Sequence, residues 1–221
     1  MNLIDAPSPN FDPRTAPPTM IVLHYTGMKS GQAALDRLRD PEAKVSSHYL
    51  VEEDGRVFRL VAEERRAWHA GVSFWRGRRN VNGDSIGIEI VNPGHEFGYR
   101  PFPEAQIAAV IALVADIRTR WEIEDNRILG HSDVAPARKE DPGELFPWRR
   151  LAEAGHGVWA EADPADRAQL TFATALGFSR FTLKMRRGFS FPFRCAGGSS
   201  STSNRGRPGS PPVAGVSPTG E

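Results

Sequence analysis

The chain has 221 residues, which is enough for one well-cored domain with a small appendage. A hydrophobic content of 39% and a charged content of 25% are typical of a globular protein and exclude a fibrous or wholly disordered chain. The formal net charge of +1 gives no reason to expect nucleic acid as the main partner, and the one cysteine, Cys195, excludes an intrachain disulfide.

The sequence predicts no membrane-spanning helix, because it contains no apolar run of about 18 residues. Residues 1–18 have neither the basic segment nor the apolar segment of a secretory signal, and no cysteine for lipid attachment lies near the start. From these features we expect a cytoplasmic protein.

The first elements of the chain are an arm, a strand and a helix. Residues 1–17 are rich in proline and are expected to form an extended N-terminal arm. The β-branched run at 19–24 predicts a buried strand that ends at His24. Residues 31–40 predict a short helix that is stopped by Pro41.

Further strands follow in the middle of the chain. Residues 46–61 predict a hairpin, because two alternating runs flank an Asp-Gly turn. Residues 85–91 predict another strand, with Gly87 and Glu89 on one face, where the missing side chain of Gly87 leaves room for a substrate. Residues 127–131 predict one more short strand, which, like the strand at 19–24, ends in a histidine.

Two helices complete the predicted domain. In residues 103–121 apolar side chains recur at the 3.6-residue spacing of a helix, and the predicted buried face consists of Ile107, Val110, Ile111, Val114, Ile117 and Trp121. Residues 146–155 predict a short helix with proline near its start and glycine at its end. Strands followed by helices predict an α/β (α+β) domain at residues 18–158, with a single mixed central β-sheet flanked by helices.

The C-terminal end has a different composition. Residues 159–176 predict the start of a helix, which would open a truncated C-terminal subdomain. Residues 177–221 are dominated by Ser, Gly, Pro and Arg, and three interpretations stay open: a disordered tail, a basic segment that binds an anionic partner, and a frame-shifted product. Composition favours disorder.

Two predicted strands each present a histidine at the carboxyl end, His24 and His131. If these strands are neighbours in one sheet, both imidazoles emerge at the same edge, and Asp141 on the following loop could meet them. Two imidazoles and a carboxylate form a three-ligand zinc site that leaves one position open for water, as catalytic sites do. On spacing alone, a histidine that ends a strand is more often a structural residue.

Several stretches of the sequence together resemble the zinc-dependent N-acetylmuramoyl-L-alanine amidases of the type 2 amidase family. They are "VLHYT", "WHAGVSFWRG", "SIGIEIVN", "GHEFGYRPFPEAQ" and "GHSDVAPARKEDPG", and they lie within residues 18–155. The muropeptide-recycling and outer-membrane lipoprotein branches of that family are the most similar. The resemblance implies that residues 18–158 are a zinc amidase catalytic domain.

The resemblance also implies the roles of five residues. It assigns one catalytic Zn²⁺ to His24, His131 and Asp141. Zinc lowers the pKa of a bound water from about 15.7 toward about 7. The catalytic glutamate of the family corresponds to Glu89, which would take the proton of this water and pass it to the leaving amine. The lysine of the family corresponds to Lys139, which would stabilise the oxyanion.

Four further residues are candidates for substrate contacts. The resemblance places His69 near the cleft, and the ring of Trp68 could stack on a sugar face or belong to the core. Arg79 could bind a carboxylate of the stem peptide or be a solvated surface charge. Asn92 could hydrogen-bond the peptide stem. His95, in contrast, is expected on the surface.

The expected activity is hydrolysis of the amide bond between N-acetylmuramic acid and L-alanine in peptidoglycan or muropeptides. The alternative is a non-catalytic peptidoglycan-binding module of the same fold, and the intact ligand set favours the enzyme because a module that only binds needs no open metal site. The expected partners are peptidoglycan fragments and not nucleic acid. The sequence leaves open the oligomeric state and the preference between intact peptidoglycan and the 1,6-anhydro form.

Overall fold

The structure, a computed structural model, describes residues 2–159. The predictions for the C-terminal helix and for the tail at 177–221 therefore lie outside the described residues.

Within residues 2–159 the chain forms eight strands: β1 (Leu3–Asp5), β2 (Phe11–Pro13), β3 (Met20–Tyr25), β4 (Tyr49–Val51), β5 (Val57–Arg59), β6 (Arg65–Ala67), β7 (Ser85–Ile90) and β8 (Ile128–Gly130). The same part of the chain forms six α-helices: α1 (Gly31–Arg39), α2 (Val81–Asp84), α3 (Gly94–Phe97), α4 (Glu104–Arg120), α5 (His131–Val134) and α6 (Trp148–Glu153).

Six strands form one mixed sheet in the order β1-β5-β4-β7-β3-β8. Strands β4, β7, β3 and β8 are parallel to one another, and β4 and β5 form the predicted antiparallel hairpin. The predicted mixed sheet flanked by helices is confirmed. A second, two-stranded sheet of β2 and β6 was not predicted.

The N-terminal stretch is extended and takes part in both sheets. Strand β1 is parallel to β5 at the edge of the large sheet, and β2 is antiparallel to β6. Arg14 then donates hydrogen bonds to the carbonyl oxygens of Gly83 and Ser85, at 2.7 and 2.9 Å. The N-terminal segment is therefore held to the domain by strand pairing and by the hydrogen bonds of Arg14. Its proline-rich composition does not predict these contacts.

One face of the sheet packs on α4. The helix buries Gln106, Ile107, Val110, Leu113, Val114 and Ile117. Two members of the predicted face, Ile111 and Trp121, are only partly buried, while Leu113 lies in the core. Ile111 is at one edge of the buried stripe and Trp121 follows the last helical turn, so the buried face is rotated toward Leu113.

The opposite face of the sheet is covered by different elements at its two ends. At one end α1 contributes Ala34, Leu35 and Leu38 to an apolar cluster. Ser30 caps α1, because its hydroxyl accepts the backbone N–H of Ala33 at 3.2 Å. At the other end Ala70 packs with apolar residues of β3, β8, α2 and α5. Between the two clusters a cavity opens at the carboxyl ends of the central strands.

Within residues 2–159, no helix combines the length and the apolar character that crossing a bilayer requires.

Candidate metal centre

The register of three parallel strands assembles the centre. His24 on β3 is directly opposite Glu89 on β7, and Leu23 is opposite Gly130 on β8, so that His131 follows beside His24. Because the carboxyl ends of parallel strands meet at one edge of a sheet, these side chains share one site. The predicted adjacency of the two histidine-bearing strands is therefore found.

Three polar atoms converge at this edge. Nδ1 of His24 lies 2.9 Å from Nδ1 of His131, and Oδ2 of Asp141 lies 3.1 and 3.0 Å from these two nitrogens. All three residues are buried, with exposed fractions of 1%, 3% and 5%. The backbone carbonyl of Asp141 accepts the N–H of Ser132 at 2.9 Å, which ties the loop of Asp141 to α5.

The shifted pKa values of His24 and Asp141 suit a cation. Burial, followed by the charge of His131, lowers the pKa of His24 to about 4. Burial by itself would raise the pKa of Asp141, but the hydrogen bonds that its carboxylate accepts whenever Nδ1 of His131 or His24 carries a proton outweigh burial and lower this pKa. Neutral imidazole and ionised carboxylate are the forms that coordinate metals. Two nitrogens and one oxygen that face a common point are a donor set that zinc accepts, so the residues fit the metal.

Glu89 and Lys139 line the cavity beside this cluster. Oε2 of Glu89 is buried and has no hydrogen-bond partner among the described residues. Burial, followed by the charge of Asp141, raises the pKa of Glu89, while the charge of Lys139 acts in the opposite direction. A buried carboxyl oxygen without a partner is costly unless a ligand or water uses it.

The cavity has a volume of about 360 Å³ and reaches from the three converging atoms to α1. Trp68 and His69, two of the candidates for substrate contacts, line it, and Trp68 donates from Nε1 to Asp12 at 2.8 Å. His95 is exposed, as expected, and it also lines the cavity, with one of its ring nitrogens 3.0 Å from the hydroxyl of Tyr25.

The structure does not bring Asn92 into the cavity. Its side chain is fully buried, donates to the carbonyl oxygen of Arg100 at 2.7 Å and accepts the N–H of Gly94 at 3.1 Å. The amide therefore holds the chain between β7 and α4 together instead of facing a substrate.

Arg79 also lies outside the residues that line the cavity. It is exposed, and its guanidinium lies 5.7 Å from the ring centre of Phe74, which is itself half exposed. This arrangement corresponds to the surface-charge alternative for Arg79.

The space beside Gly87 is filled by the ring of His69 and not left for a substrate. A β-carbon at position 87 would lie 2.4 Å from Cγ of His69. Ser85 lies on the same face of β7, with its Oγ 3.3 Å from Nε2 of His69. Ser85 is not among the predicted site residues, although the period-2 pattern that places Gly87 and Glu89 on one face also includes position 85.

Comparisons with known proteins agree on one family. A family model described as N-acetylmuramoyl-L-alanine amidase matches residues 14–144. The N-acetylmuramoyl-L-alanine amidase AmiD of Escherichia coli (strain K12) is 43% identical over an alignment of 155 residues that covers 65% of this chain and 55% of AmiD. The 1,6-anhydro-N-acetylmuramyl-L-alanine amidase AmpD of Enterobacter cloacae is 35% identical over an alignment of 171 residues that covers 67% of this chain and 89% of AmpD. The match thus spans about half of AmiD and most of AmpD.

A solved structure of AmiD from E. coli is similar in fold. It contains the substrate anhydro-N-acetylmuramic acid-L-Ala-D-gamma-Glu-L-Lys. The TM-score is 0.60 at 39% sequence identity, and the match covers 74% of this chain and 66% of the AmiD chain.

Proposed function

The chain belongs to the N-acetylmuramoyl-L-alanine amidase family of type 2 amidases, and on that premise we propose that it is a zinc-dependent hydrolase of muropeptides. The bond cleaved is the amide between N-acetylmuramic acid and L-alanine. The observation that carries this proposal is the convergence of His24, His131 and Asp141 beside Glu89, which has a buried carboxyl oxygen without a partner. The substrate class is supported by the AmiD structure with an anhydromuramyl peptide and by the name of AmpD.

The metal would be held by Nδ1 of His24, Nδ1 of His131 and Oδ2 of Asp141. Bound zinc supplies Lewis-acid chemistry, which polarises a carbonyl group and makes water a stronger acid. The three residues leave their cluster open toward the cavity, so a substrate carbonyl has access to it.

Glu89 is the proposed general base and acid. It lies beside His24 in the sheet register and carries a buried oxygen without a partner. Its raised pKa means that it holds a proton more tightly than an exposed glutamate does. This property suits a group that takes a proton from the attacking water and returns it to the leaving nitrogen of L-alanine.

Lys139 is the proposed stabiliser of the oxyanion. Lys139 lines the same cavity as Glu89 and Asp141. An ammonium group donates hydrogen bonds and cannot accept them, so it favours the negative charge that develops on the carbonyl oxygen during attack.

The proposal is tested by mass spectrometry of the products from an anhydro-muropeptide and from whole sacculi, each with and without a chelator. We expect release of the stem peptide and its loss when the chelator is present. Binding of the muropeptide without any product would instead indicate a peptidoglycan-binding module. The comparison of the two substrates also decides between free muropeptides and intact peptidoglycan. The cytoplasmic location stays a prediction, which cell fractionation tests.

A further inference from the structure

Two consecutive residues, His69 and Ala70, contact the outer side of both ligand histidines. Nε2 of His24 lies 3.0 Å from Nδ1 of His69, and Nε2 of His131 lies 3.0 Å from the carbonyl oxygen of Ala70. Because Nδ1 of each ligand ring faces the cluster, Nε2 is its outer nitrogen. One short segment therefore contacts both outer nitrogens.

The proton of each ligand ring must lie on Nε2 if Nδ1 is to bind a cation. The carbonyl oxygen of Ala70 can only accept a hydrogen bond, so it favours this arrangement in His131. Nη2 of Arg138 lies 3.3 Å from the same ring nitrogen and donates to the carbonyl oxygen of Ala70. His69 can accept a hydrogen bond from His24 only when its own proton lies on its Nε2. The tautomer of His24 thus depends on what Nε2 of His69 contacts.

Ser85 decides the direction of this hydrogen-bond chain. Its Oγ donates to the carbonyl oxygen of Val81 at 2.5 Å and lies 3.3 Å from Nε2 of His69. A hydroxyl has one proton, and since that proton is used at Val81, the oxygen presents a lone pair to His69. Ser85 is fully buried, so water does not replace these partners. The bonds then run in one direction, from His24 to His69, to Ser85 and to Val81.

We propose that His69 and Ser85 are positioning residues that hold His24 in the tautomer whose Nδ1 is free for the metal. The inference rests on the proposed function, because it assigns that nitrogen to zinc. The reverse direction would place the proton of His24 on Nδ1, inside the cluster. Asn82 holds the segment in place, since its Oδ1 accepts the N–H groups of His69 at 3.1 Å and Ala70 at 2.7 Å. Hydrogen bonds of this kind commonly orient metal-bound histidines.

The native protein provides the first test. Long-range nitrogen-15 NMR spectra of the zinc-loaded full chain report which nitrogen of each imidazole carries the proton. We expect a proton on Nε2 of both His24 and His69. A proton on Nδ1 of His69 would overturn the proposal, because that ring could then not accept from His24.

Zinc affinity, measured by competition with a chelator, provides the second test. His69→Phe keeps a ring but removes the acceptor, and we expect zinc binding to weaken roughly 10- to 100-fold. His69→Gln supplies an amide oxygen as acceptor, so it should bind zinc about tenfold more tightly than His69→Phe. Ser85→Ala removes the hydroxyl that sets the direction of the hydrogen bonds, and it should weaken zinc binding about tenfold. Should His69→Phe fail to fold, the native spectrum still decides the question.

Ser47→Ala is the matched control. Ser47 is also fully buried, but its hydroxyl donates to the carbonyl oxygen of Tyr49 at 2.8 Å, and it is not among the residues that line the cavity. This variant should bind zinc within about twofold of the native protein. Native affinity in folded His69→Phe and Ser85→Ala would refute the positioning role alone. A native protein that binds no zinc would refute the proposed function and this inference with it.

Discussion

The ring of His69 lies against Gly87, so closely that a β-carbon on the glycine would be 2.4 Å from Cγ of the histidine. Gly87 stands between Ser85 and Glu89 on one face of β7. One strand face therefore holds the hydroxyl beside His69, the space for its ring and the carboxyl group proposed for proton transfer. His69 can lie beside His24 only because residue 87 is a glycine and has no side chain.

Gly87→Ala should destabilise the protein and weaken zinc binding, because the added methyl group displaces His69. Overpacking of this kind costs about 1–3 kcal/mol, which denaturant unfolding measures. In a His69→Ala background the same change should cost much less, since the clashing ring is gone. An equal cost in both backgrounds would contradict the packing argument.

His131→Ala should abolish zinc binding and activity, because it removes one of three donor atoms. Zinc at about 100 times its Kd stabilises a folded protein by about 2.7 kcal/mol, so the native Tm should rise on zinc addition and the variant Tm should not. His156→Ala is the control, since His156 contacts Arg118 and does not line the cavity. A zinc-dependent rise of Tm in His131→Ala would exclude His131 as a ligand.

Glu89→Gln should keep zinc and lose turnover. The amide has a similar shape but cannot take up a proton, so we expect kcat to fall about 100- to 10,000-fold. Metal analysis and steady-state kinetics on muropeptide separate the two effects. Glu122→Gln, an exposed glutamate outside the cavity lining, serves as control. Native turnover in Glu89→Gln would require a different base.

Lys139→Ala should lower kcat more than it raises KM, because the charge that it stabilises develops in the transition state. Loss of a donor to an oxyanion costs roughly 100- to 1,000-fold in rate. Zinc content should stay unchanged, which metal analysis checks. A raised KM with native kcat would instead place Lys139 in substrate binding.

Glu63 should make the free energy of unfolding fall at acidic pH. Burial by itself would raise its pKa, but hydrogen bonds from Arg120, Tyr49 and Trp121 outweigh burial and lower it below the ordinary value of 4.5. A carboxyl whose pKa is lower in the folded state contributes stability that is present above about pH 4.5 and is lost as pH falls through its folded pKa.

Glu63→Gln should therefore cost about 1–3 kcal/mol at neutral pH and flatten the loss of stability in acid. Urea unfolding at a series of pH values measures both effects. Glu64→Gln, the exposed neighbour, should keep the native pH profile. If the free energy of unfolding fell with the same slope against pH in Glu63→Gln and in the native protein, other carboxyl groups would cause the loss of stability in acid.

Much of the metal centre could be predicted from local sequence. The β-branched run before His24, the short strand before His131 and the alternation around Glu89 indicate which residues reach the ends of strands. Periodicity also gives the face on which each side chain lies, because it follows from backbone geometry alone. The resemblance to type 2 amidases then selected these residues from among the other polar side chains.

The positions of the residues around His24, His131 and Asp141 could not be predicted in this way. Asn92 and Arg79 had plausible chemistry for a substrate, yet Asn92 bonds to its own loop and Arg79 lies over Phe74 at the surface. Local sequence gives no measure of which segment packs against a strand face. For this reason the alternation around Gly87 predicts space for a substrate, whereas the ring of His69 fills that space.

The sequence by itself determined the strands, the helices and the residue types at their ends, because these follow from interactions between near neighbours in the chain. Only the tertiary structure decided which residues contact His24 and His131. The contact between His24 and His69 joins positions 45 residues apart, and that between His131 and Ala70 joins positions 61 apart. Such contacts depend on the order of strands and on the path of the chain between β6 and α2, which form only when the whole sheet is assembled.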